Sequence, residues 1–274
     1  MADPSARDAV EHNRKAWDRQ VAGGNEWTIP VTSETVARAR QGDWSVVLIG
    51  YEPVTRSWFP DDLVGVDILA LASGGGQQGP ILAAVGANVT VFDNSPGQLD
   101  RDRMVAERDA INIATIQGDM RDLSAFPDAT FDLVFNPVSN VFCPELAPVW
   151  RESYRVLRPG GTLLVGFMNP DLFIFDPDAI EKRGEMIVTH SIPYSDQASM
   201  TPEEHAKAWG PDTPLEFSHT MSTQIGGQLA AGFILTHLEE APHQSDASAK
   251  YMPGYFATRA VKPLPQPVPF APSN

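Results

Sequence analysis

Residues Val66–Asp93 read VDILALASGGGQQGPILAAVGANVTVFD. A short apolar run, Val66–Leu71, has strand length and composition. The turn Ser73-Gly74-Gly75-Gly76 follows, and its glycines let the backbone approach a ligand closely. Pro80 stands near the start of the next segment and Gly86 just past its end, so a helix over about 78–85 is expected. A second apolar run at 88–92 ends in Asp93, where a carboxylate can accept from the two hydroxyls of a ribose. Strand, glycine turn, helix, strand and acid is a physical recipe for an adenosine-bearing cofactor. The turn alone also reads as a tight strand-to-helix connection, and Asp93 as a cap or turn residue before Asn94-Ser95-Pro96.

The same rhythm continues. Strands are expected at 113–117, 131–135 and 161–167, with helices over about 96–110 and 144–157 and Arg158-Pro159-Gly160-Gly161 closing the last helix. Short apolar strands alternating with helices imply a parallel sheet covered on both faces. Upstream, residues 5–20 read as a helix, and 21–60 as irregular but rich in Trp27, Trp44, Tyr51, Trp58 and Phe59, too aromatic for a loose linker. Downstream, the prolines of 168–215 mark an insertion. Within it, Thr201-Pro202-Glu203-Glu204 predicts a capped helix over 202–209, and strand-like 185–192 and 215–220 are expected to pair. A helix at 222–231 and strands at 233–239 and 255–262 return to the sheet.

The 274 residues carry a net charge of −15, with 42% hydrophobic composition. That balance supports a sizeable core and disfavours nucleic acid or an anionic membrane as partner. No run of ~18 apolar residues suggests a membrane span. One cysteine, Cys143, suits a reducing cytoplasm. It is read at the start of a helix, where a small packing residue is the plainer role. No His, Asp and Glu spacing matches a metal site.

Two further segments carry chemistry. Gly118-Asp119-Met120 follows the third strand, where an acid and the next amide suit the edge of an adenine, or form an ordinary polar turn with Arg121-Asp122. Then come Phe131–Pro137, FDLVFNP, and Arg155–Val165, RVLRPGGTLLV. With these the chain resembles a class I S-adenosylmethionine-dependent methyltransferase of small-molecule type, over residues 65–167 and more loosely over 222–262. The resemblance implies a Rossmann-like α/β fold: a seven-stranded, mostly parallel sheet with helices on both faces and an antiparallel last strand. Residues 1–60 would form an N-terminal helix and aromatic lid, 61–167 the cofactor-binding core, 168–220 a cap over the acceptor, 221–262 the rest of the sheet and 263–274 a proline-rich tail.

It also implies S-adenosylmethionine as cofactor and roles by position. Ser73, Gly74 and Gly76 would line the methionine part, with Gln77 and Gln78 nearby. Asp93 would hold the ribose with Asn94 beside it, and Asp119 and Met120 would address adenine. Asn136, Ser139 and Asn140 would lie beside the sulfonium and acceptor, and Trp17 and Trp27 would serve the lid or simply pack. The chain departs from the family where it carries Ala70 at the usual acid and Ala72 at the usual first glycine. A base for the acceptor is sought among the histidines, with His219 first and His190 second because both fall on the expected ribbon. Two other readings stay open: a nicotinamide-dependent oxidoreductase, which leaves RVLRPGG unexplained, and a cofactor-binding protein without catalysis, which Ala70 and Ala72 permit. Acceptor identity and oligomeric state are not legible.

Overall fold

The computed structural model describes residues 4–243 and 247–265; the tail from 266 onward lies outside the described residues. Helix α1 (Pro4–Gly23) opens the chain. A second helix, α2 (Ser33–Arg40), stands where irregular chain was expected. Thr32 caps it by accepting from the amide of Thr35, and Val36 and Ala39 are its buried residues, too few for a periodic signal. There follow β1 (Asp67–Leu71), α3 (Gln78–Ala84), β2 (Asn88–Asp93), α4 (Pro96–Asp109) and β3 (Ile113–Gln117). Next come β4 (Phe131–Asn136), α5 (Ala147–Val156) and β5 (Leu157–Met168). The LRPGG segment therefore opens the strand instead of closing the helix. Arg158 within it bridges Asp67 at 2.9 Å and Asp132 at 2.8 Å, tying β5 to the starts of β1 and β4.

The insertion holds α6 (Pro177–Arg183), β6 (Tyr194–Ser195), α7 (Asp196–Ser199), α8 (Pro202–Trp209) and β7 (Phe217–Ser218). Helix α8 carries the expected capping box of Thr201 and Glu204. The ribbon is not the expected one. β7 pairs with Tyr194–Ser195, while Val188 bridges Phe175 and stays exposed. The Asp196 carboxylate decides this register, accepting from Tyr194 Oη at 2.7 Å and from the amide of Glu216 at 2.7 Å. A π-helical turn at 222–226 leads into α9 (Gly227–Ala230), then β8 (Ile234–Ala241) and β9 (Tyr255–Val261).

The sheet order is β3-β2-β1-β4-β5-β9-β8, and β9 alone runs against its neighbours. Successive strands build outward in opposite directions from β1 and β4, so a crevice forms past their carboxyl ends. In register, Leu71 faces Phe92, Asp93 faces Gln117 and Asn136 faces Val165, which brings the loops after β1, β2, β3 and β4 to one edge.

Alternation along the strands divides the core. Ile68, Ala70, Val91, Leu133 and Phe135 face one side and pack with Trp44, Leu48, Trp58 and Phe59. Leu69, Leu71, Phe92, Val134 and Val165 face the other, with Trp150 and Phe233. The aromatic segment is thus a layer of the core, each fully buried apolar side chain contributing about 2–3 kcal/mol. Gly166 of β5 lets this layer touch the sheet, since a Cβ there would lie 2.0 Å from the carbonyl oxygen of Leu48. Among the described residues no helix is long and apolar enough to cross a membrane.

Candidate functional site

A cleft of about 270 Å³ opens over the carboxyl ends of β1, β2 and β4. Its floor is Ala72–Gly74, Asp93–Asn94, Gly118–Met120 and Pro137–Ser139; its cover is Val10, Asn13 and Trp17 of α1, Trp27, and Val47–Gly50.

The glycine turn is held from both edges. Gly74 donates its amide to Asp93 Oδ2 at 2.9 Å, and Ser95 donates to Asp93 Oδ1 at 2.9 Å. On the far edge Gly75 donates to Asp102 Oδ2 at 3.1 Å and to the carbonyl of Gln98 at 3.1 Å. A Cβ on Gly74 would meet Gln98 Cβ at 2.7 Å, so the close approach needs glycine. Burial raises the Asp93 carboxyl, and burial together with the Asp93 charge raises that of Asp102 well above the usual range. The sequence reading passed over Asp102, although an acid stood on the apolar stripe Leu99–Asp102–Val105 of α4. Just before the turn, Ala72 adopts φ +46°, the left-handed conformation that a glycine would take freely.

At the tip of β3, Gly118 is required because a Cβ would lie 2.1 Å from Phe92 Cζ. Asp119 is paired side-on with Arg121, at 2.9 Å from Nε and 2.6 Å from a terminal nitrogen.

Helix α1 closes the mouth by bonding to both lips. Asp18 Oδ1 accepts from Ser95 Oγ at 2.7 Å and from the amide of Gly97 at 3.0 Å, at the positive end of α4. Asn94 donates to the Val10 carbonyl at 2.9 Å. Across the cleft Asn13 donates to the carbonyls of Phe142 and Leu215 at 2.9 Å each and accepts from the Leu215 amide at 2.7 Å. The Trp17 ring meets Phe142 edge-on at 5.1 Å, and Trp27 packs against Tyr51 at 5.1 Å. The two glutamines after the turn fasten the cover: Gln77 donates to the carbonyls of Glu26 and Ile29, and Gln78 accepts from the Val47 amide at 3.0 Å.

Of the expected residues, Trp17, Trp27, Ser73, Gly74, Gln77, Gln78, Asp93, Asn94, Asp119, Met120 and Ser139 line this cleft together. Gly76 does not; it faces Pro30 and the Arg101 carbonyl. Asn136 lies buried beneath, donating to the Leu71 carbonyl at 3.0 Å and to Ser139 Oγ at 2.8 Å. Asn140 turns to Gln224 at 2.9 Å. His219 stands behind Val141 and Met168 in a separate crevice, its Nε2 2.8 Å from the Cys143 carbonyl, and burial lowers its pKa. The structure leaves His190 off the ribbon, edge-on to Tyr194 at 4.9 Å. Cys143 lines the cleft just after a 3-10 turn and not at a helix start; burial pushes its thiol up to about 12, so it is no nucleophile at neutral pH. Val10, Asn13, Val47–Gly50, Met168 and Tyr255 were not anticipated, because strands and loops far apart in sequence bring them here.

Comparison with known proteins agrees with this geometry. A family model described as a methyltransferase domain matches residues 69–165, from β1 to β5. The uncharacterized methyltransferase YbaJ of Bacillus subtilis (strain 168) is 46% identical over 253 residues, 92% of this chain and 98% of that protein. Sterol 24-C-methyltransferase erg6 of Aspergillus fumigatus is 34% identical over 100 residues, but the match spans only 26% of that enzyme. The fold matches that of an S-adenosylmethionine-dependent methyltransferase from Mesorhizobium loti, with TM-score 0.57 and 20% identity over 75% of this chain and 94% of that one. The chain belongs to the class I S-adenosylmethionine-dependent methyltransferases.

Proposed function

We propose that this protein transfers a methyl group from S-adenosylmethionine to a small, largely apolar acceptor within the cleft under α1. The carrying observation is the pair of carboxylates around the glycine turn. The amides of Gly74 and Gly75, which a pyrophosphate would need, already donate to Asp93 and Asp102. With those amides occupied, the turn has none to offer a phosphate, which disfavours a dinucleotide and suits a cofactor that carries no phosphate.

The residues present fit that group. Ser73 Oγ is buried at the cleft wall with no partner, and each Asp93 oxygen accepts one amide and keeps a lone pair for a ribose hydroxyl. In this reading Asp93 and Asn94 hold the ribose, Asp119 and Met120 the adenine, and Ser73, Gly74 and Ser139 the methionine end. When bound, the cofactor supplies an electrophilic methyl group and leaves as a neutral thioether. Trp17 and Trp27 shield that end from water and offer aromatic faces to a cation. Ile49, Val138, Met168 and Tyr255 make the opposite wall apolar, which orients an acceptor by shape. Relatives named for a sterol and for 2-methyl-6-phytyl-1,4-hydroquinone support a small-molecule acceptor. The charge of −15 argues against nucleic acid, and the single cysteine suits a cytoplasmic setting.

Titration calorimetry with S-adenosylmethionine, S-adenosylhomocysteine and NAD tests this reading. Both adenosyl compounds should bind and NAD should not; binding of NAD alone would overturn it. His219→Ala tests the remaining base assignment. Slowed turnover with unchanged cofactor affinity would support a base there, and wild-type turnover would remove it.

A further inference from the structure

Asp102 sits on α4 with none of its surface exposed, on the face it shares with Leu99 and Val105. A carboxylate in such a place is costly unless hydrogen bonds compensate it. Its Oδ2 accepts the Gly75 amide at 3.1 Å, and its Oδ1 has no partner. The surroundings are shaped to keep it. A Cβ at Gly79 would stand 3.3 Å from Asp102 Oδ1 and 2.7 Å from Val91 Cγ2. Gly75 and Gly76 adopt φ of +109° and +74°, a conformation that favours glycine. Meanwhile Ala70, at the family's usual acid position, is fully buried among Leu48, Phe59 and Phe135.

We infer that Asp102 is a positioning residue for the cofactor: from α4 it clamps Gly75 so that the Ser73–Gly74 edge faces the cleft, standing in for the acid absent at Ala70. The inference rests on the cofactor reading above. Asp93 grips the cleft edge of the turn and Asp102 the far edge, so the turn is fixed between two carboxylates. Without the far grip, the Gly75 amide loses its carboxylate acceptor and the turn relaxes away from the cleft, although Asp102 itself does not line it.

The test compares wild type, Asp102→Ala and Asp102→Asn by titration with S-adenosylhomocysteine and by amide hydrogen exchange at Gly75. Asparagine keeps the shape and an oxygen that accepts from the amide. The alanine variant should lose about tenfold or more in affinity and exchange faster at the Gly75 amide, while the asparagine variant stays within about threefold of wild type. A purely structural role would lower the unfolding midpoint and leave affinity unchanged, and that result overturns the inference. So does equal loss in both variants. If Asp102→Ala does not fold, Asp102→Leu, which fills the space without an acceptor, takes its place under the same criteria. Wild-type protein that binds neither adenosyl compound refutes the cofactor reading and this inference with it; wild-type binding with an unaffected alanine variant refutes the inference alone.

Discussion

The two walls of the cleft are made by different means. One wall comes from the tips of adjacent parallel strands, at Ala72–Gly74, Asp93–Asn94 and Gly118–Met120. The other gathers Val10, Asn13 and Trp17, Val47–Gly50, Met168 and Tyr255 from opposite ends of the chain. On the first wall backbone amides and carboxylates set the geometry. On the second, apolar side chains fill space, while Asn13 and Asn94 donate to backbone carbonyls and Gln78 accepts from the Val47 amide to hold the pieces down. A wall built from sheet register resists change in its cover, while a wall built from docked segments depends on where they dock.

The sharpest way to break this contrast is to push the docked segment off the sheet. Gly166→Ala places a methyl against the Leu48 carbonyl and should cost about 3 kcal/mol in chemical denaturation. A loss below about 1 kcal/mol would show that Val47–Gly50 is not pressed on β5. On the other wall, Asp93→Ala should weaken S-adenosylhomocysteine binding by about 2 kcal/mol, roughly thirtyfold, without matching loss of fold. Unchanged affinity in a folded variant would remove Asp93 from the site.

The pH response separates the walls further, since the buried acids stand at the glycine turn. Burial raises Asp102 above its ordinary value of 3.8, so the folded state holds the proton more tightly than the unfolded state. The stability this gives is complete below 3.8 and is lost as pH rises through the folded value. Relative to Asp102→Asn, the wild type should therefore lose up to about 1.4 kcal/mol per pH unit across that window, read from denaturation midpoints at stepped pH. A difference that is flat with pH would mean that Asp102 is not perturbed. The smallest effect is expected at Ala72→Gly. Relief of the left-handed strain, set against the added freedom of glycine in the unfolded chain, should stabilise by about 0.5 kcal/mol. A loss above about 1 kcal/mol would mean that the Ala72 methyl group packs usefully.

The contrast also explains what could be read in advance. The run from Val66 to Asp93, the Gly118-Asp119-Met120 turn and the RVLRPGG segment announced the sheet and the strand-tip wall of the cleft, because strand alternation and turn chemistry are local. The reading failed where partners are remote. α2 has too few buried positions to show a period, and the ribbon pairs Tyr194–Ser195 because Asp196 reaches Glu216. His219 was placed by its expected strand, yet Val141 and Met168 stand between it and the cleft. Asp102 carried a visible sign, an acid on an apolar stripe, but its meaning depended on glycines far up the chain.

By itself, the sequence determined the alternating α/β order, the glycine turn with its following acid, and the membership of a methyl-transferring family. Those features follow from hydrophobic period and from the few residues that tolerate a tight turn. Only the tertiary structure decided which amides the carboxylates occupy, that α1 spans the two lips through Asp18, Asn94 and Asn13, and that Val47–Gly50, Met168 and Tyr255 come together at the cleft. The reason is physical: a turn is specified by neighbours in sequence, whereas a buried carboxylate or a docked helix is specified by groups that meet only once the sheet has brought the strand ends together.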